Sequence, residues 1–412
     1  MEKTQKYISK EELKTHNKRD DLWISIFGKV YNVSEWANHH PGGDLPLIYF
    51  SGQDVTNVFL AYHPTSSSQY LNNFFTGFYL NDYDVSEISK DYRNLLSEFQ
   101  KMGLFESKGH TMLVTMIFIV TTFLMSFYGV IFSNNIWVHV ICALLLGFAW
   151  VQLGWIGHDC AHYEVMVGPV WNRCMQFVIG NCLTGVAASW WKLTHNAHHI
   201  ACNSLEFDPD VQLTPFIAVS SKVFASLTSR FHERKMNFNS ISRSFVSHQH
   251  LTFYPLVTFY RAVMFVLCFL LLLSKRKVPN RGVTGIQQFQ FSLNHLPCDV
   301  YLGPPTGHDW FEKQTMGSLD IECPPWMDWF HGGLQFQIEH HLFPRMPRCN
   351  FRKIAPFVKV LCKKHNLPYN SASFWKANSL IYNTLRSAAL EARHCTNSIP
   401  RNLAWESITS HG

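Results

Sequence analysis

TMLVTMIFIVTTFLMSFYGVIFSNNIWVHVICALLLGFAWVQLGWIG, residues 111–157, contains no Asp, Glu, Lys or Arg. The polar triplet Ser133-Asn134-Asn135 divides it into 111–132 and 136–157, 22 residues each. A helix needs roughly 20 apolar residues to cross a bilayer core. Two transmembrane helices joined by a tight turn therefore fit better than a buried hairpin of a soluble core, and both outer ends then face the same side. A third apolar stretch, expected as a third transmembrane segment, follows at about 251–274, interrupted by Arg261 and closed by Lys275-Arg276-Lys277. Residues 283–412 hold no stretch of comparable length.

The rest of the chain fits a membrane protein with a soluble head. Charged residues make up 16% of the 412, against about 25% in ordinary globular domains. The formal net charge of +6 is spread out, so nucleic acid is not an expected partner. Eleven cysteines form no C-x-x-C pair, which excludes a secreted disulfide framework. The polar N-terminus is no signal peptide, so the first domain is expected on the cytosolic side. Residues 1–82 read as a small α+β unit. Leu22–Phe27 is a strand ending at Gly28, Val30–Val33 is the next, and Ser34 is expected to cap a short helix holding Glu35 and Trp36. Residues 83–110, of mixed charge, read as a helical linker at the membrane surface, and 111–412 as the membrane domain.

Within the first unit stands His40-Pro41-Gly42-Gly43, followed by His63. Two histidines on separate loops can clamp a flat cofactor from both faces and give a six-coordinate heme iron, suited to passing electrons. Paired glycines let the backbone turn close to the porphyrin edge. Together with Asp21-Leu22-Trp23, Gly28–Val33, Trp36, Gly52–Thr56 and His63-Pro64, this resembles the cytochrome b5 family. The resemblance makes His40 and His63 the ligands of a heme b and leaves His39 without that role.

Three histidine clusters stand downstream: His158-Asp-Cys-Ala-His162, His195-Asn-Ala-His198-His199 and Gln337-Ile-Glu-His340-His341. Residues three and four apart share a helix face, so each cluster can aim several nitrogens at one point. Imidazole suits iron, zinc, copper or nickel. Seven histidines exceed the ligands of an ordinary zinc site, and zinc has no use for electrons from a neighbouring heme. Two non-heme irons that activate O2 satisfy both facts.

The whole chain resembles the plant front-end desaturases with a fused cytochrome b5, of the delta-8 sphingolipid or delta-6 acyl type. The likeness runs through the three boxes, Gly154–Gly157, Ala197–Ser204, Trp310–Thr315, Trp326–Phe330 and His341–Pro344. It implies an all-α integral membrane desaturase domain behind the α+β heme domain. It also implies a diiron centre held by His158, His162, His195, His198, His199, His340 and His341, with His295 as a further ligand and Gln337 as ligand or water-ordering residue. Asp159 and Glu339 are expected to orient histidines, while His331, His248 and His250 are expected to be structural. Ala161 departs from the family's usual glycine. The implied reaction takes electrons from NADH through a cytochrome b5 reductase to the heme and then to the irons. It inserts a double bond into a sphingoid base, ranked first, or an acyl lipid, at the endoplasmic reticulum membrane. A lipid hydroxylase on the same scaffold is the related alternative.

One junction departs from this pattern. Lys275–Gly282 runs directly into Val283–Gln287, where the family has a longer hydrophobic region, which points to an internal deletion near 282–283. Three spans would leave His340 and His341 on the far side of the bilayer from His158 and His195, and would set the basic cluster against the positive-inside tendency. The sequence thus also raises the alternative of an inactive membrane hemoprotein that only transfers electrons.

Overall fold

The computed structural model describes residues 6–79, 85–107, 109–185, 187–257, 293–307 and 310–395. In the N-terminal unit, β1 (Asp21–Ile26) and β2 (Lys29–Asn32) form an antiparallel hairpin in the register Trp23↔Asn32 to Ile26↔Lys29. Phe27 and Gly28 make the turn with φ of 52° and 71°, the two positive values that a two-residue hairpin matched to strand twist requires. Both faces of β1 are covered. Leu22, Ile24 and Ile26 enter the main core, while Trp23 packs with Ile8, Leu13 and Val30. Two short helices, α1 (Leu45–Phe50) and α2 (Thr56–Tyr62), lie in the chain between the two heme-box histidines. Strand β3 (Phe75–Tyr79) pairs with β2 and completes the unit. Ser34 does not cap a helix: its hydroxyl accepts from the Leu22 amide at 2.9 Å, tying the end of β2 to β1, and the following turn is a 3-10 turn at Ala37–His39.

The segment expected as a surface linker contains α3 (Glu87–Lys101), started by Ser86, whose hydroxyl accepts from the Ser89 amide. Tyr92, Leu96 and Phe99 recur on one face and are buried. Tyr92 stacks on Phe343 and meets Trp310 edge-on, and its hydroxyl donates to the Leu342 carbonyl at 2.9 Å. The helix is therefore a core element joining the two halves of the chain, because its apolar stripe outweighs its charged face.

Helices α4 (Gly109–Phe132) and α5 (Ile136–Ala161) lie side by side, turned by the expected triplet. Asn135 caps α5, its side-chain oxygen accepting from the Trp137 amide at 2.9 Å. Close approach needs Gly129, where a Cβ would lie 2.6 Å from Cys142 Sγ. The spans Met112–Phe132 and Ile136–Ala161 have mean hydropathy of 2.1 and 2.0, with only 17% and 22% of those windows covered by protein. Helix α5 runs past Gly157 to Ala161 and so carries the first histidine box on its last turn. The second box ends α6 (Ala188–Ile200), and the third lies on α7 (Gln337–Leu342). Helices α8 (Phe351–Lys364) and α9 (Phe374–His394) close the C-terminal half. Of the third apolar stretch, residues 251–257 are helical; 258–274 and the junction at 282–283 lie outside the described residues.

Candidate metal centre and heme pocket

His40 follows the 3-10 turn and His63 follows α2, so each ring leaves from the end of a short helix. The imidazole centroids are 5.9 Å apart. Two rings on opposite sides of one iron, each nitrogen roughly 2 Å from the metal, place their centroids about 6 Å apart. His40 Nδ1 lies 2.7 Å from the Gly43 carbonyl and His63 Nδ1 3.1 Å from the Phe59 carbonyl. Carbonyls only accept, so both Nδ1 atoms carry the proton and both Nε2 atoms are left as donors to a metal. Burial lowers the pKa of both; His63, also facing His40, falls to about 4. Neutral imidazoles are what an iron binds. A Cβ at Gly42 would lie 2.9 Å from His40 Cε1, so only glycine leaves that ring its place. These residues fit a heme.

The eight histidines of the boxes and of Leu293–His295 converge in one buried cluster. His158, His162, His195, His199 and His340 form one group; His198, His295 and His341, with Cys202, form a second. The ligand atoms in each group lie within 4.8 Å of one another. Nε2 atoms meet at 2.9 Å for His162 and His195, 3.0 Å for His195 and His199, 3.0 Å for His199 and His340, and 3.3 Å for His198 and His295. Adjacent nitrogens about 2.1 Å from a shared metal would be roughly 3 Å apart. Gln337 Nε2 lies 2.9 Å from His295 Nε2, while its Oε1 is buried without a hydrogen-bond partner, as are His199 Nδ1, His340 Nδ1 and His341 Nε2. Buried polar atoms are normally satisfied, and a pair of metal ions would satisfy the inward-facing ones. The expectation that His340 and His341 are stranded from His158 and His195 is overturned: His340 shares one buried group with His158 and His195, its Nε2 lies 3.0 Å from His199 Nε2, and the His341 ring stacks on that of His199.

Outer partners hold the rings. Gly317 carbonyl takes His295 Nδ1 at 2.7 Å, and Gln314 Oε1 takes His341 Nδ1 at 2.7 Å. Asp208 accepts from His198 Nδ1 at 2.8 Å and from the Asn203 and Asp210 amides. Burial lowers the pKa of His162, His195, His199, His295, His340 and His341. His198 is the exception: burial opposes its charge, but the Asp208 carboxylate prevails and pushes it up to about 9. Asp159 orients His158 at 3.2 Å and is itself paired with Arg348. Glu339, expected to orient a histidine, turns instead to Tyr369, which bridges it to Asp320. Asp208, Gln314 and Arg348 went unread in the sequence, since they lie outside the boxes and only the fold brings them in. Cys202 is buried, with its thiol held well above its usual range by that burial, so it remains a neutral neighbour of His295. His331, His248 and His250 are outside both groups.

The two sites adjoin. Asn196, between two box histidines, donates to the Gly42 carbonyl at 3.2 Å, and Tyr62 donates its hydroxyl to the His199 carbonyl at 3.2 Å. Burial keeps the Tyr62 hydroxyl pKa well above its usual value, so it stays a donor.

Residues 9–80 match the family described as cytochrome b5-like heme/steroid binding domain, and 134–373 match the fatty acid desaturase family. The chain is 54% identical to the acyl-lipid (9-3)-desaturase of Borago officinalis, covering 99% of each. It is 51% identical to the Delta(8)-fatty-acid desaturase of Helianthus annuus, over 99% of this chain and 96% of that one. The Borago alignment runs over 442 positions, and this chain has 412 residues, so at least 30 positions (442 − 412) have no counterpart here. That agrees with an internal deletion.

Proposed function

Because the chain belongs to the fatty acid desaturase family, with a cytochrome b5-like domain fused ahead of the desaturase domain, we propose that it is a multi-pass enzyme of the endoplasmic reticulum membrane that desaturates a long-chain lipid with electrons delivered through its own heme domain. We place the heme domain at 1–82, a connecting segment at 83–110 and the membrane domain at 111–412. The observation that carries the reading is the meeting of eight buried histidines beside a bis-histidine pocket.

In this reading His40 and His63 hold heme b. His158, His162, His195, His199 and His340 hold one non-heme iron, and His198, His295 and His341 hold a second, with Gln337 beside it. When bound, the iron pair supplies the O2-dependent oxidation of an unactivated methylene, chemistry no side chain can perform. The protein's part is to bind, orient and exclude. Asp208, Gln314 and the Gly317 carbonyl fix the tautomers so that Nε2 faces inward. Burial favours the neutral form of His162, His195, His199, His295, His340 and His341, while Asp208 raises the pKa of His198. A small cavity beside His158 is lined by Gly154, Gly157, Ile179, Ala188 and Trp191 together with the polar Gln176 and Thr184. Helices α4 and α5 cross the bilayer in this reading, which accounts for their uncovered apolar surface. A cytochrome b5 reductase passes electrons from NADH to the heme.

The sphingoid base is the first candidate substrate and an acyl lipid the second. Lipid profiling of yeast expressing the chain tests both: new double bonds in long-chain bases support the order, and unsaturated acyl chains beside untouched bases reverse it. Hydroxylated lipids in place of unsaturated ones would establish the hydroxylase reading. A lipid profile unchanged from that of the His340→Ala variant refutes the enzyme.

A further inference from the structure

The heme pocket and the metal cluster are joined by one side chain. Tyr62 is the last residue of α2, and the next residue is His63. Its hydroxyl donates to the backbone carbonyl of His199 at 3.2 Å, and its ring meets the His199 imidazole edge-on, with centroids 6.2 Å apart. His199 belongs to the five-histidine group. A continuous path therefore runs from the His63 ring through one peptide bond to Tyr62, across a single hydrogen bond, and through His199 to its imidazole. Among the described residues a second polar contact between the α6 box and the heme pocket, Asn196 to the Gly42 carbonyl, reaches the His40 loop but ends on backbone two residues from the ligand.

Resting on the desaturase reading above, we propose that Tyr62 is the bridge by which electrons pass from the heme pocket to the histidine cluster. Each event moves one electron. Ferrous heme iron becomes ferric, and one ferric non-heme ion becomes ferrous. No bond forms or breaks in Tyr62, and its phenol keeps its proton. Two events supply the pair of electrons that a desaturation consumes beside those taken from the lipid.

The test uses the full chain in detergent, with heme and non-heme iron both ferric and oxygen excluded. Soluble cytochrome b5 reductase and limiting NADH reduce the heme within the mixing phase, and the later decay of the ferrous heme absorbance reads transfer to non-heme iron. An iron-depleted chain gives the baseline. Tyr62→Phe keeps the ring and loses the hydrogen bond; Tyr62→Leu loses both. Gln53→Ala loosens the domain contact elsewhere, where Gln53 accepts from the Gly307 amide at 3.0 Å. The expected result is a severalfold slower decay in Tyr62→Phe and a slower one still in Tyr62→Leu, with wild-type heme spectrum, heme potential and iron content, and an unchanged rate in Gln53→Ala. Wild-type rates in both Tyr62 variants overturn the bridge and leave the desaturase reading standing. Equal slowing in Gln53→Ala and Tyr62→Phe also overturns it, by making the effect one of docking. An absence of iron-dependent decay in the wild-type chain overturns both.

Discussion

At the scale of single residues, the ring tautomers organise both sites. His63 donates from Nδ1 to the Phe59 carbonyl, so its Nε2 is fixed toward the heme face. His63→Ala is expected to bind heme with one axial ligand and to lose the low-spin spectrum of the reduced protein. An unchanged reduced absorption spectrum would remove His63 from the ligand set. Asp208 plays the corresponding part for His198 at 2.8 Å, and its second lone pairs are held by backbone amides. Asp208→Asn keeps the shape and removes the charge. Losing such an outer partner typically costs about 10–100-fold in metal affinity. Iron titration of the full chain should show that loss, while affinity within twofold of wild type would show that backbone packing alone orients His198. The sequence disclosed His198 because box spacing is short-range. It did not disclose Asp208, ten residues on, because nothing in local periodicity marks an acid that a loop folds back.

At the scale of elements, the strands and apolar helices were legible because their signals are local. The hairpin needs only alternation and a glycine turn, and α4–α5 only a charge-free run split by polar residues. Helix α3 was harder to read. Its charged residues describe the solvent face, whereas the stripe of Tyr92, Leu96 and Phe99 gains its meaning from Phe343, far along the chain. Phe99 is 1% exposed and meets Phe343 and Phe357 edge-on. Phe99→Ala is expected to cost about 3–5 kcal/mol through lost burial and the cavity left behind. A large drop in the thermal unfolding midpoint of the full chain, with the heme spectrum retained at low temperature, is the expected readout. A midpoint within a degree of wild type would return α3 to the status of a surface linker.

At the scale of the whole molecule, the position of the histidines decides the topology. His158 and His195 lie before the segment 258–292, and His295, His340 and His341 lie after it, yet all five belong to one buried cluster. In a bilayer, the two ends of that segment must therefore face the same side. From 251 to 292 the chain holds one apolar stretch, 251–274, broken by Arg261; the 18 residues that follow it, 275–292, fall short of the roughly 20 apolar residues a second crossing needs. A single crossing would put the ends on opposite sides, which the cluster forbids. A cytosolic Lys275-Arg276-Lys277, on the side where basic residues are favoured, is therefore the expected outcome of a sidedness test. The Borago officinalis relative aligns over at least 30 further positions; placed in this segment, they would make two crossings possible. A glycosylation acceptor inserted after Lys277 should stay unmodified in the endoplasmic reticulum, and the purified chain should hold two non-heme irons per heme. A version lengthened by the relatives' segment should hold the same amount of iron, and any difference in turnover should then come from lipid access and not from metal binding. Glycosylation at that acceptor would place the segment in the lumen and show that the cluster does not form in the membrane, and iron bound only by the lengthened version would show that this chain is the electron-transferring hemoprotein without a diiron centre.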